Sequence, residues 1–450
     1  MIERNLDKVI ENHYSNSKSA LLLTGARQVG KTYAIRRYAE RQKLNLIEIN
    51  FYEDNNAKSI FENAKDVNDV LLRLSAYTIR PLVKDKTLIF FDEVQRCADV
   101  ITWIKFLVDE GSYLYALSGS LLGVTLKDIR SVPVGYMAVQ DVYPLTLQEF
   151  ALALGMSHDV LDTLKNSWVN RMPVDNVIHE SMLRVVTLYL LTGGMPAVVQ
   201  TYLDTNDMQA VQAKQREIIG LYRWDIAQYD PNNKLYIDDI FNLIPAELNS
   251  KNKRFILKNM NEHRQFSRHE NGFIWLRDAG VALPTYNVAE PMSPLQLSKN
   301  RSLFKLFQND VGLLAAQYAG GIAMQLLNGD ININYGAIFE NFVAQELKVQ
   351  GWDLYYYNNK KFGEIDFILE QDAKIIPIEV KSGKDYNRHQ ALNNLLNQHE
   401  YGIDEAIVFC QSNIQTKDKV LYAPIYMIMF LIRQQSADSM IYKLDIEALK

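Results

Sequence analysis

The sequence predicts an α/β protein in which a helix-covered parallel sheet leads into a helical lid, a small basic unit and a second α/β layer. Three observations carry that prediction. From residue 18 to about 150, short apolar runs at 20–23, 46–50, 87–91 and 113–117 alternate with helical patterns, as parallel strands and their crossovers do. Between 145 and 245 the pattern is helical, with Met208–Tyr229 the clearest long segment and Gly193-Gly194-Met195-Pro196 a strong breaker. From Tyr335 a new α/β pattern runs to the C-terminus. The expected units are therefore 1–150, 151–249, 250–330 and 331–450.

Composition narrows the function classes. The chain has 450 residues, 48% of them apolar and 22% charged, which is ordinary for folded domains and excludes disorder as the main state. A net charge of −5 rules out a polycation that coats nucleic acid, so any such contact must be local. Cys97 and Cys410 lie far apart without metal-ligand spacing, which argues against disulfides or a cysteine zinc site and suggests a reducing cytoplasm. The longest apolar stretch, 423–432, is about half of what a membrane-spanning helix needs, so no membrane is expected. Residues 1–13 are charged and lack a secretory core.

Within the first unit, Gly25-Ala26-Arg27-Gln28-Val29-Gly30-Lys31-Thr32 matches G-x-x-x-x-G-K-T between an apolar run and a helical stretch that starts at Tyr33. Glycines at both ends let such a loop curl until its backbone N–H groups face a polyphosphate at a helix N-terminus, where the dipole also favours anions. Residues Gly25 to Tyr33 are thus the expected ATP-binding segment, with Lys31 on the β and γ oxygens and the Thr32 hydroxyl on Mg²⁺. The apolar run 87–91 ends in Asp92-Glu93: Asp92 suits the magnesium shell, and Glu93 could polarise the attacking water. After the run 113–117, Ser118-Gly119-Ser120 places hydroxyls at a third strand end, where Ser118 or Ser120 could sense the γ phosphate or simply cap a turn.

These residues resemble bacterial and archaeal AAA-type P-loop ATPases that carry a C-terminal domain of unknown function. The resemblance covers nearly the whole chain and includes Ile2-Glu3-Arg4, the loop 25–32, Asp92-Glu93-Val94-Gln95, Ser118-Gly119-Ser120 and Tyr143-Pro144-Leu145-Thr146-Leu147-Gln148-Glu149-Phe150. One departure stands out: where the family usually has Gly-Arg, this sequence has Gly135-Tyr136. An arginine completing a neighbouring subunit's site must then be another, such as Arg130, or be dispensed with.

The middle of the chain is locally basic. Residues 250–287 hold a net charge of +4 in a helix, turn, helix, strand pattern that resembles a winged helix, a fold used for DNA contact and also as a plain packing module. Pro284, Pro291 and Pro294 are expected to mark a loop, with helices following to about 329.

In the last unit, Glu340 falls on an expected helix 337–350, Asp366 on a strand 363–370, and Glu379 with Lys381 on a strand 374–381. Residues i and i+2 of a strand share a face, so Glu379 and Lys381 project together while Ile378 and Val380 pack opposite. Glu379, thirteen positions after Asp366 across a hairpin, followed by Lys381, resembles the PD-(D/E)XK core of restriction-endonuclease-like domains, with Glu340 as the helix-borne acid. That resemblance implies a divalent metal on Asp366, Glu379 and Glu340, with Lys381 orienting the attacking water. An ion-paired surface is the plain alternative, and Gln390 on the next helix is a further candidate or a polar face. Tyr355-Tyr356-Tyr357 reads as sheet packing ahead of base stacking, and the scattered histidines show no metal spacing.

The combined expectation is a cytoplasmic ATPase using ATP and Mg²⁺, coupling turnover to a nuclease-like, DNA-interacting C-terminal domain. The alternative is an ATP-dependent switch or scaffold that binds a protein partner. A small-molecule kinase ranks last, because it leaves the second half of the chain without a role.

Overall fold

The computed structural model describes residues 2–119, 135–229, 234–250, 266–318 and 336–434. Ser120, Arg130 and much of the expected winged-helix-like segment lie outside them.

Five strands, β1 (Ala20–Thr24), β2 (Asn45–Asn50), β3 (Thr87–Asp92), β4 (Leu114–Gly119) and β5 (Met137–Asp141), form one all-parallel sheet in the order β2-β3-β4-β1-β5. Alternate residues serve two cores. Leu21, Leu23, Leu88 and Phe90 face the helices Asn5–Asn16 and Lys31–Arg41, and their core continues into the rest of the molecule. Leu22, Ile47, Ile89, Phe91 and Leu117 face the helices Val67–Thr78 and Asp99–Glu110. Burial on both faces is why β1, β3 and β4 read as unbroken apolar runs. β5 escapes such a reading because it is an edge strand with Val139 56% exposed.

The expected helical stretch is present as Leu147–Ala153, His158–Asn170, Asn176–Thr192, Pro196–Thr205, Met208–Tyr229 and Lys234–Asn249. Gly193-Gly194 breaks the third helix from the fourth, and Pro196 opens the latter at a position where its missing N–H costs nothing. Among the described residues no single helix is long and apolar enough to cross a membrane; one pair, Asn176–Thr192 with Pro196–Thr205, passes that test only together and is bent by 118°.

Among the described residues the second sheet holds eight strands, and it differs from the expected organisation in two places. Its order is β12-β13-β11-β10-β9-β8-β6-β7, with β6 (Ala282–Val288), β7 (Lys299–Gln308), β8 (Tyr355–Asn359), β9 (Gly363–Gln371), β10 (Lys374–Val380), β11 (Ala406–Cys410), β12 (Gln415–Lys417) and β13 (Val420–Pro424). Tyr286, Asn287 and Val288 pair in parallel with Tyr355, Tyr356 and Tyr357, so one hydrogen-bonded layer runs across the boundary expected near residue 330. The loop-then-helices expectation for 284–329 also gives way: Pro284 lies inside β6, and residues 299–308 form β7, before the helix Val311–Gln317. Pro284 is tolerated because β8 pairs with β6 only from Tyr286 onward, so no ladder partner is denied an N–H there. The expected β9–β10 hairpin is present, Ile378 facing Phe367 in antiparallel register.

The helix Gly336–Val349 lies between this sheet and the lid with Ala337 through Leu347 buried. Its polar side chains bind backbone on neighbouring elements. Asn341 accepts from Gln308 N at 2.7 Å, Gln345 accepts from Val311 N at 2.9 Å, and Glu346 accepts from Leu147 N at 2.9 Å. Asp310, fully buried, accepts from Gly194 N at 2.6 Å and caps its own helix through Leu313 N at 2.9 Å.

Candidate functional site

The loop Gly25 to Gly30 links β1 to the helix that begins at Lys31, as the motif requires. Gly25 has φ +130°, and a Cβ there would lie 2.2 Å from the Val142 carbonyl oxygen, so the tight bend accepts only glycine. Gly30, at φ +95°, opens the helix. The Lys31 ammonium is buried and donates to the carbonyls of Gly25 at 2.8 Å and Ala26 at 2.7 Å. Burial pushes it down to about 8, against the pull of Glu93 and Asp92.

The strand order explains the rest of the site. Because β4 lies between β1 and β3, the C-terminal ends of all three converge beside the loop. Thr32 Oγ1 donates to Asp92 Oδ2 at 3.0 Å, Ser118 Oγ donates to Asp92 Oδ1, and Asn50 Nδ2 reaches Asp92 Oδ2 at 3.4 Å. Burial raises the Asp92 carboxyl, while Ser118 and Thr32 oppose the shift by hydrogen bonding to the charged form. Glu93 sits one step beyond the strand in the left-handed region at φ 57°, with Gln95 Nε2 donating to Oε2. A hydroxyl and a carboxylate 3.0 Å apart beside the loop fit Mg²⁺, and Thr32 and Asp92 are the residues that would hold it. Tyr33, at the helix start, is exposed.

Several residues to which the sequence alone gives no role brace this loop. Arg4 donates to Val29 O at 3.1 Å and Tyr143 O at 2.8 Å and pairs with Glu149 at 3.3 Å. Glu149 in turn closes a capping box with Thr146 and accepts from Asn5 N at 2.6 Å. The tracts at residues 2–4 and 143–150 therefore form one clamp on the phosphate loop. Gly280, with φ +73°, lies so close that a Cβ would be 2.9 Å from Ala26 N. Asp225 pairs with Arg27 at 3.0 Å. Its signal was present in the sequence: it interrupts the otherwise apolar buried stripe Ile218, Tyr222, Ile226 of its helix.

In the second sheet, Asp366, Glu379 and Lys381 come together. Val380 N donates to Asp366 Oδ2 at 2.9 Å, and Lys381 Nζ lies 3.0 Å from Glu379 Oε2. Burial, then the Asp366 charge, pushes Glu379 up to about 8. Glu340 instead lies 3.7 Å from Nζ of Lys305, a fully buried lysine that also pairs with Glu364 at 2.7 Å. Among the described residues no group of three or more His, Cys, Asp and Glu side chains is arranged to hold a metal ion. Gln390 binds Asn394 at 3.0 Å on an exposed helix face. Tyr356 and Tyr357 are buried, as sheet packing predicts, and His179 and His389 pair with the Tyr426 and Tyr422 hydroxyls at 2.8 and 2.6 Å.

Comparison with known proteins bears on the N-terminal unit. Residues 17–151 match a family described as an AAA domain, and the N-terminal unit is accordingly an AAA-type P-loop ATPase domain. Residues 184–322 and 335–428 match two families described as domains of unknown function, DUF8612 and DUF4143. Among solved structures, the chain is similar to a Walker-type ATPase of Pyrococcus abyssi at 13% identity and TM-score 0.43, covering 70% of this chain and 96% of that one. It is also similar to the Aeropyrum pernix ORC1 protein in complex with DNA, at 16% identity and TM-score 0.25, covering 72% and 92%. A third is Cdc6p of Pyrobaculum aerophilum, at 12% identity and TM-score 0.24, covering 73% and 93%. No curated protein matches.

Proposed function

We propose that the chain hydrolyses ATP at its N-terminal AAA-type domain and couples that turnover to a nuclease-like, DNA-interacting C-terminal sheet. The observation that carries the first half is the convergence of Lys31, Thr32, Asp92 and Ser118 at three strand ends beside the glycine-bent loop. Magnesium bound with the nucleotide would neutralise charge between the β and γ phosphates. Loop N–H groups and Lys31 bind the phosphates, Ser118 holds Asp92 in place, and Glu93 takes the proton of the attacking water. The water oxygen bonds to the γ phosphorus as the bond to the bridging oxygen breaks, and the electron pair leaves with ADP.

Coupling rests on the polar contacts that join the two halves. Glu346 holds the N-terminus of the helix Leu147–Ala153, and Asp310 holds Gly194 beside Leu145, whose N donates to Gly194 O at 2.6 Å. A shift at the clamp on the phosphate loop thereby reaches the second sheet. The pairing of Asp366, Glu379 and Lys381 supports the nuclease-like reading. Two free, buried thiols, Cys97 and Cys410, fit a reducing cytoplasm.

Nucleotide binding and turnover test the first half. Lys31→Ala should lose ATP binding, whereas Glu93→Gln should bind ATP and hydrolyse it poorly; if both hydrolyse like the parent, the site is misassigned. A second reading, a switch or scaffold that binds a protein partner without cutting, is favoured by the placement of Glu340 against Lys305 rather than in a three-acid group. Plasmid and linear DNA incubated with Mg²⁺ or Mn²⁺, with and without ATP, separate the two. Cutting that Asp366→Ala abolishes supports the nuclease; neither binding nor cutting supports the switch.

A further inference from the structure

We infer that Arg27 and Arg96 supply, from within the same chain, the positive charge that γ-phosphate transfer requires, and that Asp225 holds Arg27 in place until the nucleotide arrives. This rests on the ATPase reading above.

The need for such a group follows from position. Tyr136, at the position where the family resemblance implies an arginine, accepts from Ala20 N at 2.9 Å and so lies at the start of β1, the end of the sheet opposite Gly25. A side chain there is remote from this chain's own phosphate loop, and the Tyr136 ring carries Lys105 Nζ at 5.3 Å instead. Among the described residues, and apart from the Arg4 clamp, Arg27 and Arg96 carry guanidinium groups on the phosphate loop and just past the Asp92-Glu93 strand end. Arg27 belongs to the loop itself, and Arg96 follows Asp92-Glu93 in the turn Val94–Arg96. Each lies 5.4 Å from the centre of the Tyr52 ring, so the two cations share one aromatic support.

Their electrostatic neighbours are groups expected around the γ phosphate. Arg27 acts on Lys31, the residue that reaches the β and γ oxygens, and Asp225 acts on Arg27, Glu93, Arg96 and Lys31. Asp225 is thus a buried carboxylate bonded to Arg27 at 3.0 Å, within electrostatic reach of Glu93, Arg96 and Lys31. A carboxylate oxygen there occupies the role of a phosphate oxygen. An arriving γ phosphate carries more charge than Asp225 and is repelled by it, so Arg27 exchanges partners and Asp225 is released. Asp225 sits on the helix Met208–Tyr229, and Tyr222 of the same helix donates to Arg27 O at 3.3 Å, so the exchange is felt in the lid.

The test measures turnover, KM for ATP and the affinities for ADP and ADP–aluminium fluoride in the full chain and the variants Arg27→Ala, Arg27→Lys, Arg96→Ala and Asp225→Asn. Arginines that stabilise γ-phosphate transfer contribute about 10³-fold or more to turnover. Arg27→Ala and Arg96→Ala should lower kcat about 100- to 1000-fold and weaken ADP–aluminium fluoride, while ADP alone binds within about threefold of the parent. Arg27→Lys should recover part of the loss, and Asp225→Asn should lower KM for ATP. Equal loss of ADP and ADP–aluminium fluoride binding in both Arg27 variants would mean a structural role and overturn the assignment. So would turnover within about threefold of the parent, or rescue of Arg27→Ala by mixing it with a Lys31→Ala chain, which shows the arginine acting between molecules. A parent that neither binds nor hydrolyses MgATP overturns the ATPase reading itself.

Discussion

Replacing Glu346 with glutamine should stabilise the protein, and the gain should grow with pH. Glu346 is fully buried beneath the clamp helix, and burial pushes its carboxyl up from 4.5 to about 8, with Glu149 adding to the rise. An acid whose value is higher folded than unfolded contributes stability below its unfolded value and loses it as pH rises through the folded one. For Glu346 that window runs from about 4.5 to about 8. Applying the linkage relation to those two values, the carboxyl costs roughly 3 kcal/mol more at pH 7.5 than at pH 5. An amide still accepts from Leu147 N and carries no charge, so Glu346→Gln escapes this dependence. Urea denaturation of parent and variant at both pH values reads the difference. Parallel curves, with the same gap at pH 5 and 7.5, would refute the claim that burial at this joint holds the carboxyl protonated well above its unfolded range.

Gly280→Ala forces a methyl to 2.9 Å from Ala26 N on a backbone at φ +73°, so ATP affinity should fall about tenfold by calorimetry, whereas Gly383→Ala, with open space around it, should bind as the parent does. Lys305→Met should cost about 3 kcal/mol by thermal or urea unfolding, because buried Glu340 and partly buried Glu364 each lose a counter-charge, and adding Glu340→Gln should recover part of it.

What the sequence reveals about this fold follows burial symmetry. β1 and β3 are flanked by helices on both faces and show as uninterrupted apolar runs, and the β9–β10 hairpin shows as two such runs around a turn. β5 lacks that signal because it lies at an edge. β7 lacks it for another reason. Its first half is exposed and polar, and its second half places Lys305 in the interior, where ion pairs with Glu340 and Glu364 replace the apolar residue the pattern demands. At the nucleotide site the loop, Asp92 and Ser118 are legible because their chemistry ties residue type to a strand end. The bracing roles of Arg4 and Gly280 are not, and Asp225 shows only as a polar break in an apolar stripe, since each acts across a fold contact between segments distant in sequence. The same limit applies to Glu340, whose helix was expected but whose partner, Lys305, lay on an unexpected strand.

The union of β6 with β8 decides how this polypeptide can be cut or synthesised. A fragment that stops near residue 330 would present β6 with a raw flank, and one that starts just after it would do the same with β8. Bare flanks of that kind recruit strands from other molecules. During translation the hairpin β6–β7 must wait for some fifty further residues before its neighbour emerges from the ribosome. The tail is therefore no detachable cassette, and soluble expression of it should require an upstream limit before Ala282.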